Sequence, residues 1–128
     1  GTTKIVLQIW DINGDDRFRF LLPIFSRGSS GGIFMFDITK PYTLENGIEL
    51  LEIFKTHTVE EGIEAPIIMV GGKSDFNAEK SISENKIKDL MNKFNIVNYL
   101  ECSSKTGENV ELVFEILTKN ILEYKQLI

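Results

Sequence analysis

The sequence is poor in the residues that build covalent or metal-bound scaffolds. It carries one cysteine, Cys102, and one histidine, His57, in 128 residues, which leaves no internal disulfide, no Cys-rich zinc site and no His-based triad or metal cluster. Long apolar runs are also missing. Ile33 to Phe36 and Ala65 to Val70 are far too short to cross a bilayer, and no basic-then-apolar signal segment opens the chain. Positive charge is scarce: 14 Lys plus Arg against 19 Asp plus Glu leave a net charge of −5, which gives no electrostatic footprint for a phosphate backbone. These absences predict a soluble, cytoplasmic chain that does not bind nucleic acid. What is present, 42% hydrophobic and 26% charged residues, suffices for the core of one globular domain over residues 1–128.

Four short apolar segments punctuate the chain. Lys4 to Trp10 is mixed and β-branched, Gly32 to Asp37 almost wholly apolar, Ala65 to Gly71 a buried-type run closed by glycine, and Val97 to Cys102 shorter and weaker. Between them the apolar residues recur at helical spacing. Leu44 to His57 carries Leu44, Ile48, Leu51 and Phe54; Ser83 to Phe94 carries Ile87, Leu90, Met91 and Phe94 behind an N-cap serine; Asn109 to Leu122 carries Val110, Val113, Phe114, Leu117 and Ile121. In the last of these Glu108, Glu111 and Glu115 come early and Lys119 and Lys125 late, as the helix dipole favours. Alternating strand and helix predicts an α/β three-layer sandwich with a mostly parallel sheet, here of four strands and about four helices. Ligands of such sheets bind beyond the carboxyl ends of the strands.

Those ends carry the informative residues. After the first segment comes Trp10-Asp11-Ile12-Asn13-Gly14-Asp15-Asp16-Arg17-Phe18, after the third Gly71-Gly72-Lys73-Ser74-Asp75, and after the fourth Glu101-Cys102-Ser103-Ser104-Lys105-Thr106-Gly107. An Asp at a strand end with Gly three residues on can hold a metal-bound water and offer an amide to a phosphate; taken alone, the same pattern reads first as an ordinary turn. Together, in this order and spacing, the three segments resemble the small GTPases of the Ras superfamily. The resemblance is to the Rab branch, whose segments read W-D-T-A-G-Q-E-R-F, G-N-K-x-D and S-A-K-T-G-E-N-V. Arg27 to Gly31 and Phe36 to Thr39 also resemble the family's R-G-A-x-G and Y-D-x-T.

The resemblance implies a P-loop-GTPase-like fold, GTP or GDP with Mg2+ as cofactors, and a role for each matching position. Asp75 would accept two hydrogen bonds from the guanine edge, a donor pair that adenine lacks. Lys73 and Lys105 would pack on the two faces of the base, and the amide of Ser104, in the loop that starts with Ser103, would point at the guanine carbonyl. Asp11 would be the outer-shell magnesium carboxylate and Gly14 the amide for the terminal phosphate, with Asp15 at the water-orienting position.

The departures from the family are as informative as the matches. No G-x-x-x-x-G-K-[S/T] occurs: Gly72-Lys73-Ser74 imitates its end, but Ile67 stands where the first Gly should be. The chain therefore reads as starting at the family's third strand, without phosphate loop, switch I or the first strand that would lie beside Gly32 to Asp37. Phosphate affinity should be largely lost. Gly72 replaces the family's Asn, which should weaken guanine selection. Asp15 replaces its Gln, and a carboxylate there repels a γ-phosphate. No prenylation cysteine follows Cys102, so these residues encode no membrane anchor.

Two functions follow. One is the C-terminal part of a GTP-hydrolysing molecular switch that by itself binds nucleotide weakly or not at all. The other is a nucleotide-independent interaction module. In both, the open sheet calls for a protein partner or a second copy, which would make the chain a homo-oligomer.

Overall fold

A parallel sheet with both faces covered needs a central strand that is apolar on every position, and Ile67–Gly72 supplies it. The structure is a computed structural model that describes residues 4–7, 20–59, 62–72, 81–103 and 105–127. Their element order is α1 (Leu22–Ser26), β1 (Gly32–Asp37), α2 (Pro41–Thr58), β2 (Ile67–Gly72), α3 (Glu84–Phe94), β3 (Asn98–Cys102) and α4 (Val110–Tyr124). The sheet order is β1-β2-β3, with both neighbouring pairs parallel.

Alternation along β2 divides the core into two layers, because successive side chains leave a strand on opposite faces. Ile67 and Met69 face α2 and α3, where they meet Phe36, Ile38, Leu44, Leu51, Ile87, Leu90 and Phe94. Ile68 and Val70 face α4, where they meet Val113, Leu117 and Cys102. Ile68, Met69 and Val70 are completely buried, each worth about 1.5–3 kcal/mol relative to exposure. The β1-α2-β2 and β2-α3-β3 crossovers step across the sheet in one direction. Right-handed connections then place α2 and α3 on the same face, and the helix after the last strand closes the other.

Local chemistry sets the element ends. Pro41 opens α2 at a position whose amide needs no partner. Ser83 Oγ accepts the Lys86 amide at 3.2 Å, so the expected cap is present. Asn95, in the left-handed region with φ 54°, ends α3 while the Ile96 amide donates to Met91 O at 2.8 Å. Two side chains tie elements across the fold. Lys55 Nζ donates to the Phe94 carbonyl at the end of α3 and pairs with Glu64 at 2.9 Å; Asn120 Nδ2 donates to Asn98 Oδ1 at 2.7 Å, fixing α4 over β3.

The described residues form three of the four expected strands. Lys4–Leu7 of the expected first strand are not in the sheet, and the rest of that segment lies outside the described residues. Its β-branched composition is not enough: a strand is a property of a pair, and Val6 stands 80% exposed with no described strand beside it. Elsewhere the boundaries move by a few residues. The helix expected from Leu44 starts at Pro41, the one expected to end at Leu122 runs to Tyr124, and the third expected strand, Ala65 to Gly71, runs over Ile67–Gly72.

Candidate functional site at the carboxyl ends of the strands

Parallel strands in register deliver their following loops to one edge. Asp37, Gly72 and Cys102 are aligned across β1, β2 and β3, so the chain leaves β2 and β3 side by side. The two segments with base-recognition resemblance, starting at positions 73 and 103, therefore begin on adjacent strands.

The end of β1 is organised by Asp37. Its Oδ1 accepts the Thr39 amide at 2.9 Å and the Thr39 hydroxyl at 2.6 Å, while its own amide donates to Thr43 Oγ1 at 2.9 Å. The Asp-x-Thr pattern thus turns the chain from β1 into α2. Gly72 O accepts the Ile38 amide at 3.2 Å, and Ile38 O accepts that of Ser81 at 3.0 Å, so the segment after β2 leaves and returns beside this turn.

The two glycines that end β2 differ in what they require. A Cβ on Gly71 would lie 2.4 Å from Ile38 Cγ2 and 2.6 Å from Tyr99 Oη, whereas one on Gly72 would meet, among the described residues, only Phe36 O at 3.5 Å, an ordinary contact. The bare position 71 lets Tyr99 reach across the middle strand and stack on Phe36, with ring centroids 6.1 Å apart and planes 10° from parallel. Tyr99 Oη donates to Glu101 Oε2 at 3.2 Å. Burial, and then the adjacent Glu101 carboxylate, raise the phenol well above its ordinary value. Among the described residues position 72 has no such packing reason to be glycine.

The segment after β3 is folded on itself. Ser103 is fully buried, its amide donates to Glu108 O, its carbonyl accepts the Gly107 amide, and its Oγ accepts the Thr106 amide at 3.2 Å. Asn109, with φ 61°, sends its Nδ2 to Glu101 O at 2.8 Å and anchors the loop to the strand. Ser103 therefore shapes the loop with every one of these polar groups, and the exposed Lys105 stands on it. Tyr99, Glu101 and Asn109 were not singled out by motif reasoning for this framework. Their signal lies in cross-strand and loop pairings that only the register reveals.

Asp11, Gly14, Asp15, Lys73, Asp75 and Ser104 lie outside the described residues. Among the described residues no group of three or more His, Cys, Asp or Glu could hold a metal ion, and no helix is long and apolar enough to cross a membrane.

The strand ends share one edge of the sheet, and the sequence model of the Ras family matches residues 1–123. The chain belongs to the Ras family. Its relatives are Rab proteins. It is 36% identical to the Ras-related protein RABC1 of Arabidopsis thaliana over 127 residues, covering 99% of this chain and 59% of that protein. It is 32% identical to the Ras-related protein Rab-27B of Bos taurus over 120 residues, with 94% and 54% covered. The Ras-related protein SEC4 of Candida albicans is 34% identical over 120 residues, with 94% and 55% covered. This Rab-like chain thus spans little more than half the length of the relatives it matches. Its three-stranded parallel sheet and flanking helices are the α/β fold expected of the family.

Proposed function

We propose that these 128 residues are the base-recognising, C-terminal part of a Rab-like GTP-binding switch, and that alone they bind guanine nucleotide weakly or not at all. The observation that carries this reading is the register of Gly72 with Cys102: it starts the segments bearing Lys73 and Asp75 and bearing Ser104 and Lys105 on neighbouring strands, where one base could touch both. Asp75 supplies guanine selection in this scheme, the two lysines cover the ring faces, and Asp11, Gly14 and Asp15 belong to the metal and terminal-phosphate side. GTP or GDP supplies the switch signal when bound, and Mg2+ supplies charge neutralisation at the phosphates. No G-x-x-x-x-G-K-[S/T] accompanies them in this sequence, which is why affinity is expected to be low. A further strand beside β1 would complete the sheet, since no described strand pairs with its outer edge. The proposed setting is the cytoplasm.

A second reading, a nucleotide-independent interaction module, is favoured by position 72. Among the described residues an added Cβ there meets Phe36 O at 3.5 Å, an ordinary contact, so none of them imposes the loss of the family's Asn. Exposed Phe20 and Ile24 offer it a recognition surface.

Titration with fluorescent GDP, GTP and ATP in the presence of magnesium separates the two. The switch reading expects weak binding with guanine preferred over adenine, converted to tight, magnesium-dependent binding when the chain is joined to the N-terminal half of a Rab relative. Tight binding by the 128 residues alone would refute the predicted loss of affinity, and a folded fusion that binds no guanine nucleotide would leave the interaction module.

A further inference from the structure

The asparagine that precedes α4 spends its side chain away from the helix it introduces. At such a position asparagine ordinarily lends its side-chain oxygen to an amide of the first turn. Asn109 makes no such cap. Its Nδ2 instead donates to Glu101 O at 2.8 Å, eight residues back in β3. The side chain is used here as an N–H donor, which an aspartate of the same shape cannot supply. The backbone, at φ 61°, lies in the left-handed region that asparagine tolerates better than most residues.

The bonds inside the loop close it on its own first residue. Ser103 donates its amide to Glu108 O at 3.1 Å, accepts the Gly107 amide on its carbonyl at 2.8 Å and the Thr106 amide on its Oγ at 3.2 Å. These bonds set the loop's shape, and its tilt against the sheet is set at its two ends. At the near end Cys102 is the last residue of β3; at the far end the Asn109 side chain returns to the same strand. Glu101 is paired with Gly71, one residue before the Gly72–Cys102 pair from which both segments depart. The tie therefore refers the loop, with Lys105 exposed on it, to the sheet position at which β2 also ends.

We propose that Asn109 is a positioning residue for base recognition: its Nδ2 donor holds the loop that carries Lys105 at the level of the sheet where it and the segment after β2 meet one guanine base. The proposal rests on the reading of this edge as a guanine site, and it adds to that site a residue that does not touch the nucleotide. Without the donor the loop keeps the bonds it makes to Ser103 but is free to tilt about that residue. The base then meets Lys105 in only a fraction of the loop's orientations, and ordering the loop on binding costs affinity. Base affinity and base selection fall together, because both depend on where the loop stands.

Two variants that both suit a left-handed backbone test it: Asn109→Gly, which removes the side chain, and Asn109→Asp, which keeps its shape and removes the donor. In the full chain, amide hydrogen exchange at Ser103 and Gly107 should quicken roughly three- to tenfold in both, the factor carried by one hydrogen bond, while the buried Ile68, Met69 and Val70 of β2 exchange as before. In the fusion to the N-terminal half of a Rab relative, both variants should release GDP faster and lose preference for GDP over ADP by a similar factor, a change of selectivity that general destabilisation does not give. Unchanged exchange at Ser103 and Gly107, or equal quickening in β2, would overturn the tie. A fusion that holds GDP with parental release and selectivity whichever residue stands at 109 would overturn the positioning role alone, whereas a folded fusion with Asn109 intact that binds no guanine nucleotide would overturn the guanine reading and this role with it.

Discussion

Adding a single methyl group at two neighbouring positions should move stability in opposite directions. At Gly71 the new Cβ falls 2.4 Å from Ile38 Cγ2 and 2.6 Å from Tyr99 Oη. Neither neighbour yields easily. Ile38 is β-branched, buried and restricted at χ1, and Tyr99 is held by its stack on Phe36 and its bond to Glu101. Overpacking of this kind costs about 1–3 kcal/mol, and two contacts this short place Gly71→Ala near the top of that range. The entropic gain from replacing strand glycine offsets about 0.5–1 kcal/mol of it. A net loss of about 2 kcal/mol follows, which for a domain of this size lowers Tm by roughly 7 °C. At Gly72 the same methyl meets, among the described residues, only Phe36 O at 3.5 Å, so Gly72→Ala is expected to keep the entropic gain and raise Tm by roughly 2–4 °C. Thermal and urea unfolding followed by circular dichroism, run on both variants beside the parent, measures the difference. Equal stability of Gly71→Ala and Gly72→Ala would refute the claim that Tyr99 occupies the space above position 71.

Two further perturbations probe the framework beneath the candidate site. Ser83→Ala removes the acceptor for the Lys86 amide and should cost about 1 kcal/mol, read as a lower urea midpoint with an unchanged m-value; no loss would mean that the cap is not what starts α3. Stability should also fall at high pH. Tyr99 and Cys102 are both raised in the folded chain, from ordinary values of 10.0 and 9.0, so the folded state keeps protons that the unfolded state releases. Their contribution is complete below those ordinary values and is lost as pH climbs past them. Tyr99→Phe should therefore flatten the decline of the urea midpoint above about pH 10, and an unchanged decline would show that the phenol is not shielded.

How much of this could be read from the sequence depends on whether a feature is local or belongs to a pair. The runs Gly32 to Asp37 and Ala65 to Gly71, and the helical stripes of Ile87, Leu90 and Phe94 or of Val113 and Leu117, are local patterns strong enough to place elements within a few residues. The first apolar segment has similar composition, yet Lys4–Leu7 are outside the sheet, because ladder formation requires a neighbour that composition does not reveal. The candidate site divides in the same way. Motif spacing named Ser103 among the base-loop residues, but its amide, carbonyl and hydroxyl oxygen are spent on Glu108, Gly107 and Thr106, a closure visible only when the loop is folded. Gly71 and Gly72 are indistinguishable as letters. What separates them is that Tyr99, twenty-eight residues on, stands one strand away and leans over the first of them. The resemblance to the base-recognition motif drew attention to position 72, where the family's Asn is missing, while the packing assigns the structural demand to position 71. The glycine that the fold requires and the glycine that alters the motif are therefore different residues, and substitution at 72 can test base recognition without first disturbing the core.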